Sequence, residues 1–357
     1  MAIVSQNDFA IDLFDASYKG DTVVISPLCA AANLGLLVNA ADGKTRAELL
    51  DALDYDDIAV LNSLNKKLLS NIEGLDSKKV KLSLVNSVWL NSALKVAAGA
   101  QFVKDAEGYY KASISQFAFD NQTYKVVNDW AYNKSNGLIK DFYSPNEINP
   151  NKSYFMMTNA LYFKGEFAEK FDKAETTTAR FYGNDDIEKY VYMMNDARSV
   201  PYLKNDKVQA VSLDFGSGVY DMVVAVPADG VSLADAAEEA LSIDGNSKTA
   251  LSLSMPKFQQ ETEFDLKEYF QKIGINAERA NLGGITLNNA PISCANFTTK
   301  QKTVFSVDED GAEGSSATST NGADISTGLS FVADKPFVYM VREKSSGVIL
   351  FIGAYVK

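Results

Sequence analysis

The sequence predicts an α+β fold with large, mainly antiparallel sheets. Three observations carry this. Strand-like and helix-like apolar patterns are interspersed along the chain without the regular βαβ alternation of a parallel sheet. Segment 153–165 (SYFMMTNALYFKG) has almost no polar side, as a central strand covered on both faces requires. The chain closes on two strand signals, 337–343 and 348–356, joined by Lys344-Ser345-Ser346-Gly347.

The elements follow in order. Residues 6–18 put Phe9, Leu13 and Phe14 on one helical face, and TVVI after Asp21 reads as a short strand. Ser26-Pro27 starts a helix, with Ser as N-cap and Pro at the first helical position. The run LCAAANLGLLVNAA behind it is almost wholly apolar, so this helix is expected to be buried on most sides. Helices are expected at 45–53, 56–74, 99–110, 124–134, 231–241 and 264–272. Strands are expected at 81–91, 113–119, 179–183, 188–194, 208–215, 219–227 and 251–259.

Composition narrows the function. The chain has 357 residues, 46% hydrophobic and 22% charged, enough for a sizeable core. Lys and Arg number 34 against 46 Asp and Glu, a net charge of −12, which argues against a nucleic-acid or anionic-membrane partner. No apolar run reaches the roughly 18 residues of a membrane-crossing helix. There is no histidine, so Ser-His and Cys-His nucleophile pairs and His-ligated zinc cannot be built. Cys29 and Cys294 are too few for a disulfide framework or metal cluster and read as two separate buried small hydrophobes. No signal peptide is visible at the N-terminus. The expected compartment is the cell interior, or the outside if Met1 opens a trimmed mature form.

One segment does not fit a plain domain. In 311–330 (GAEGSSATSTNGADISTGLS), fifteen of twenty residues are Gly, Ser, Thr or Ala. A linker should join two domains, yet only two strand signals follow, and a lone hairpin is marginally stable. Those strands must pair with sheets made earlier, so the segment is a long loop within one folded unit. Read as a strand, it sets Ala312, Gly314, Ser316, Thr318, Thr320, Gly322 and Asp324 on one face. Glu313, Ser315, Ala317, Ser319, Asn321 and Ala323 lie on the other. The first face is small and uncharged until Asp324, so it could enter a packed sheet without burying charge.

These features, with a series of sequence blocks, resemble the serpins over essentially the full length. The blocks are Val24-Ile25-Ser26-Pro27-Leu28 with Asp42-Gly43-Lys44-Thr45, then Asn159-Ala160-Leu161-Tyr162-Phe163-Lys164-Gly165 with Phe171 and Thr176. Met193-Met194, Met255-Pro256-Lys257-Phe258 and Asp265-Leu266-Lys267 follow. Glu309-Asp310-Gly311 resembles the loop hinge, and Lys335-Pro336-Phe337 and Leu350-Phe351-Ile352-Gly353 resemble the end of the family pattern. The resemblance implies a single domain over 1–357, with three β-sheets, eight or nine helices and an exposed reactive centre loop at about 309–334.

It also implies a suicide-substrate inhibitor of serine proteases and not an enzyme. A protease cuts the loop and becomes acyl-linked to the residue before the cut. The loop then inserts into the main sheet as an extra strand, releasing strain stored in the native state. Family spacing from Gly311 and from Pro336 both lead to Ile325, so the expected reactive bond joins Ile325 and Ser326. Ile325 suits a small aliphatic, elastase-like pocket, and no Lys or Arg lies between Thr303 and Asp334 for a trypsin-like one. The hinge to be inserted is Glu309, Asp310, Gly311, Ala312, Glu313, Gly314, Ser315, Ser316, Ala317 and Thr318. Ala312 stands where the family usually has Thr or Ser, and Gly314 where Ala is typical.

Ser26, Asn159 and Gln301 are expected as a polar cluster beneath the opening strands, with Phe167 near the top of the sheet where the family usually has Trp. Gln301 stands where the family has a His, and its amide could bond Asn159. No cofactor is implied. The expected partner is the protease, held covalently by a monomer. Alternatives are a non-inhibitory binding or chaperone serpin, an inhibitor of a protease recognising Asp324, an inhibitor of a cysteine protease, and a carboxylate enzyme, for which no compact carboxylate pair is apparent.

Overall fold

The computed structural model describes residues 3–357 except 54, 74–78, 95, 97–99, 136, 138, 152, 185–187, 217, 267, 268, 270, 271, 273–280, 286–296 and 313–327. Cys294, the hinge beyond Ala312 and the bond between Ile325 and Ser326 therefore lie outside the described residues.

The elements run α1 (Ile3–Ser17), β1 (Val23–Ile25), α2 (Pro27–Ala40), α3 (Gly43–Ala52), α4 (Ile58–Glu73), β2 (Val80–Asn91), α5 (Gln101–Tyr110), β3 (Ala112–Phe117), α6 (Thr123–Lys134) and β4 (Phe155–Glu166). The second half adds β5 (Thr177–Tyr182), β6 (Glu188–Lys204), β7 (Val208–Phe215), β8 (Tyr220–Pro227), α7 (Leu233–Ala240), β9 (Lys248–Pro256) and β10 (Phe258–Asp265). β11 (Phe297–Asp308), β12 (Gly311–Ala312), β13 (Ser330–Val332), β14 (Phe337–Glu343) and β15 (Ile349–Tyr355) complete the chain. Among the described residues there are thus seven α-helices. No described helix is long and apolar enough to cross a membrane.

The strands make three blocks of pairing. The main sheet has the order β10-β11-β12-β4-β2-β3. The other two blocks are continuous through β6. Met193 to Pro201 of this strand pair with β9, and Tyr202 to Lys204 pair with β7. Most pairings are antiparallel; β2–β3, β4–β11 and β9–β13 are parallel.

β4 is the central strand its sequence predicts. Phe155 and Met157 pack into the largest apolar cluster on one face, and Met156 packs with Trp89 under α6 on the other. α2 buries every residue except Ala31. Ser26 caps it by accepting the Cys29 N–H at 3.3 Å. Gly35 lets α5 approach: a Cβ there would stand 2.3 Å from the Tyr110 hydroxyl oxygen.

Three differences from the sequence reading have clear causes. Segment 251–259 is not one strand: β9 ends at Pro256, and the chain crosses at Lys257 into β10 of a different sheet. β10 runs to Asp265, so helical backbone begins at Leu266, later than expected. β11 gave no strand signal, because its face toward the α6–β4 connection carries Lys300 and Lys302. Both are buried, and both are neutralised: Lys300 pairs with Glu147 (2.9 Å) and Glu263 (2.8 Å), and Lys302 with Glu261 (2.6 Å).

Candidate functional site

The site lies along the seam between β4 and β11. Their parallel pairing runs from Phe297 opposite Phe155 to Gln301 opposite Asn159 and ends there. Higher up, β12 is wedged between them: Ala312 faces Val307 of β11 and Gly165 of β4, and Gly311 faces Asp308 and Glu166. Among the described residues nothing pairs across the interval between 302–306 and 160–164. Among the described residues the main sheet is thus joined below, unpaired in the middle and bridged at the top by Gly311 and Ala312.

Gly311 is dictated by this wedge. Its φ is +140°, and a Cβ would stand 2.1 Å from the Gly165 carbonyl oxygen and 2.7 Å from the Phe167 nitrogen. Ala312, 1% exposed, belongs to the apolar cluster that includes Phe163, Phe305 and Val307. The Asp310 carbonyl accepts the Phe167 N–H and the Glu309 carbonyl accepts the Phe171 N–H, each at 2.9 Å. Phe167 is buried and stacks on Phe215 at 5.1 Å.

The exposed loop does not begin at 309 as expected, since Glu309 to Ala312 are buried. The reason is electrostatic as well as steric. Asp310 takes Lys173 at 2.7 Å and Lys170 at 3.0 Å, and Glu309 takes Lys257 at 3.1 Å and the Thr176 hydroxyl at 2.7 Å. These ties hold the start of the segment against the sheet. At the far end Gly328, Leu329 and Ser330 are exposed, while Phe331 and Ala333 are buried. Lys170 and Lys173 were not apparent from sequence. Two lysines three apart among acidic neighbours look like an ordinary solvated surface.

Burial pushes the Asp310 carboxyl upward, but the ammoniums of Lys173 and Lys170 outweigh it and hold it below the usual carboxylate range. Burial likewise opposes ionisation of Glu309, and the Thr176 hydroxyl and Lys257 reverse the balance, lowering it too. A carboxyl with a depressed folded-state pKa stabilises fully above its unfolded value, near 4, and that contribution is lost as pH falls through the folded value. The uncut protein is therefore expected to lose heat resistance below about pH 5. Asp310→Asn should unfold at lower temperature at pH 7, and its deficit should shrink as pH falls below about 4. Parallel acid limbs in calorimetry of the two proteins would count against this role for Asp310.

The last rung below the split is polar. Gln301 is buried, and its Nε2 donates to the Ser26 carbonyl at 2.7 Å rather than to Asn159. Asn159 Nδ2 donates to Asn86 Oδ1, and Asn86 Nδ2 donates to the Tyr110 carbonyl at 2.7 Å. Ser26, Asn159 and Gln301 thus share one cluster, joined by Asn86, which the sequence reading missed because a lone Asn in an apolar strand has no distinctive spacing. Among the described residues Gln301 Oε1 and Asn159 Oδ1 have no hydrogen-bond partner. Cys29 lies against the same cluster. Burial pushes its thiol up to about 12, with hydrogen bonds from Ser26 and Gln301 offsetting part of the rise, so it is not a thiolate nucleophile at neutral pH.

Comparison with known proteins agrees with this architecture. The native-state structure of the thermophilic serpin Tengpin superposes with a TM-score of 0.88 at 24% identity, covering 99% of this chain and 94% of that one. A structure of thyroxine-binding globulin complexed with thyroxine has a TM-score of 0.84 at 20% identity, covering 99% and 98%. In sequence, a "Serine protease inhibitor" of Cyanea capillata is 28% identical over 93% of this chain and 91% of that protein. "Antichymotrypsin-2" of Bombyx mori is 27% identical over 94% and 92%. The family model described as "Serpin (serine protease inhibitor)" matches residues 4–357. With a family match over nearly the whole chain and the same fold in solved relatives, the chain belongs to the serpin family.

Proposed function

We propose that this serpin inhibits serine proteases as a suicide substrate, with the bond between Ile325 and Ser326 as the reactive bond and an elastase-like enzyme of small aliphatic specificity as target. The observation that carries this reading is the split between β4 and β11 with β12 seated at its mouth. In the antiparallel register of β12, residue 314 would fall opposite Phe305 and Phe163, residue 316 opposite Thr303 and Leu161, and residue 318 opposite Gln301 and Asn159. Gly314, Ser316 and Thr318 are all small and uncharged, and the Thr318 hydroxyl would reach the rung whose Gln301 and Asn159 oxygens lack donors.

In the reaction, the protease serine oxygen attacks the Ile325 carbonyl, the amide bond to Ser326 breaks and the Ser326 nitrogen leaves as the amine. The cut frees residues 313–325 to extend β12. Thirteen residues at about 3.3 Å each carry the acyl-linked protease some 43 Å down the sheet. Insertion past residue 318 must separate the remaining rungs of β4 and β11, and the polar cluster of Ser26, Asn86, Asn159 and Gln301 is where that separation starts.

Incubation with a panel of elastase-, chymotrypsin-, trypsin-, caspase- and papain-like proteases tests the reading. The expected product is an adduct stable in SDS with the elastase-like enzyme, with mass spectrometry placing the new C-terminal fragment at Ser326. Cleavage of the loop with full recovery of active protease would overturn it. An adduct formed after Asp324 would keep the mechanism and reassign the target.

A further inference from the structure

We infer that a cavity between α1 and the α3–α4 region, outside the split sheet, is a binding site for a small hydrophobic organic cation. The cavity holds about 280 Å³. That is just under the usual range for small-molecule sites and suits a ligand with one aromatic ring. Phe9, Tyr55, Leu61 and Tyr269 form its walls, and Asp8 and Asp12 border it. Phe9 and Tyr269 meet edge to face at 5.6 Å, which fixes two aromatic walls against each other.

Two independent features point to a cationic occupant. Asp8 and Asp12 are exposed and stand four apart on α1, where like charges repel. Among the described residues neither has an ion-pair partner, whereas Asp15, on the same helix, is paired with Lys272 at 3.1 Å. The second feature is Tyr269. It is only 5% exposed, lines the cavity, and has no hydrogen-bond partner for its hydroxyl among the described residues. Burial, reinforced by Asp12, pushes that phenol up to about 12, so it presents a neutral, electron-rich ring. Aromatic faces and unpaired carboxylates together attract an ammonium that carries an apolar body. An anion would be repelled. Ca²⁺ or Mg²⁺ needs six or more oxygen ligands and would meet mostly carbon here.

Benzyltrimethylammonium is the probe, with neopentylbenzene as its uncharged isostere. Calorimetric titration and NMR of labelled tyrosines should show saturable one-to-one binding with Kd below about 1 mM, and shifts at Tyr269 and Tyr55. The isostere, and the Asp8→Asn/Asp12→Asn variant, should each bind at least about tenfold more weakly, while Asp15→Asn binds like the parent. Because Asp8 and Asp12 are exposed, the double variant is expected to keep its fold, which the NMR spectrum verifies. Equal binding of the isostere, full binding by the double variant, or no saturation by 10 mM probe, about tenfold above the expected limit, would each overturn the assignment.

Discussion

Cutting the chain between Ile325 and Ser326 is expected to raise the midpoint of thermal unfolding by about 10 °C or more. Under the proposed mechanism, the segment released by the cut would extend β12 between β4 and β11 and then displace the rungs between Gln301–Asn159 and Phe297–Phe155. Taking about 0.5 kcal/mol net per inserted residue, the low end for a made hydrogen bond, thirteen residues contribute roughly 6.5 kcal/mol. For 357 residues at about 2.1 cal/mol/K each, the unfolding entropy is near 0.75 kcal/mol/K, so this energy corresponds to roughly 10 °C. Calorimetry of intact and nicked protein measures it directly. A nicked sample that melts with the intact one, its loop still open to proteases, would show that the split is not the receiving groove.

If the proposed mechanism holds, Ala312→Arg is expected to leave a loop that is cut without trapping the protease. Ala312 sits between Val307 and Gly165 in an apolar cluster, 1% exposed. The nearest carboxylates up the chain are already engaged, Asp310 by Lys170 and Lys173 and Glu309 by Lys257. An arginine cannot shed its proton, so seating it in β12 buries an unpaired charge at a cost of about 3 kcal/mol or more. At 1.4 kcal/mol per decade, insertion slows by about a hundredfold, and hydrolysis of the acyl intermediate overtakes it. The native fold should persist with β12 expelled from the sheet. The SDS-stable fraction should fall by at least about tenfold while loop cleavage continues, and Ala312→Ser should behave like the parent. An undiminished adduct yield from Ala312→Arg would sink the insertion argument.

Much of this architecture is legible in the chain because it depends on local or periodic features. The buried α2, the Ser26 cap, the two-faced strand β4 and the closing pair β14–β15 follow from apolar spacing and helix-start chemistry. The small, uncharged face from Ala312 to Thr318 is visible for the same reason. β11 was not legible, since its inward lysines are acceptable only beside Glu147, Glu261 and Glu263, which other segments supply. The join of β9 and β10 at Lys257 was missed because a strand that changes sheets keeps its apolar pattern.

Residue types and their spacing alone determined that this protein intersperses strands and helices without a regular alternation, excludes histidine chemistry and carries a small-residue segment too long for a turn. Only the folded arrangement decided that the segment's first two residues are already in the sheet, and that the sheet opens above Gln301 and Asn159. The cause is that these features rest on contacts between distant residues. Lys170 and Lys173 reach Asp310 across 140 and 137 positions, and Gln301 reaches Ser26 across 275. Pairings at such separations leave no periodic trace and exist only once three-dimensional packing brings the partners together.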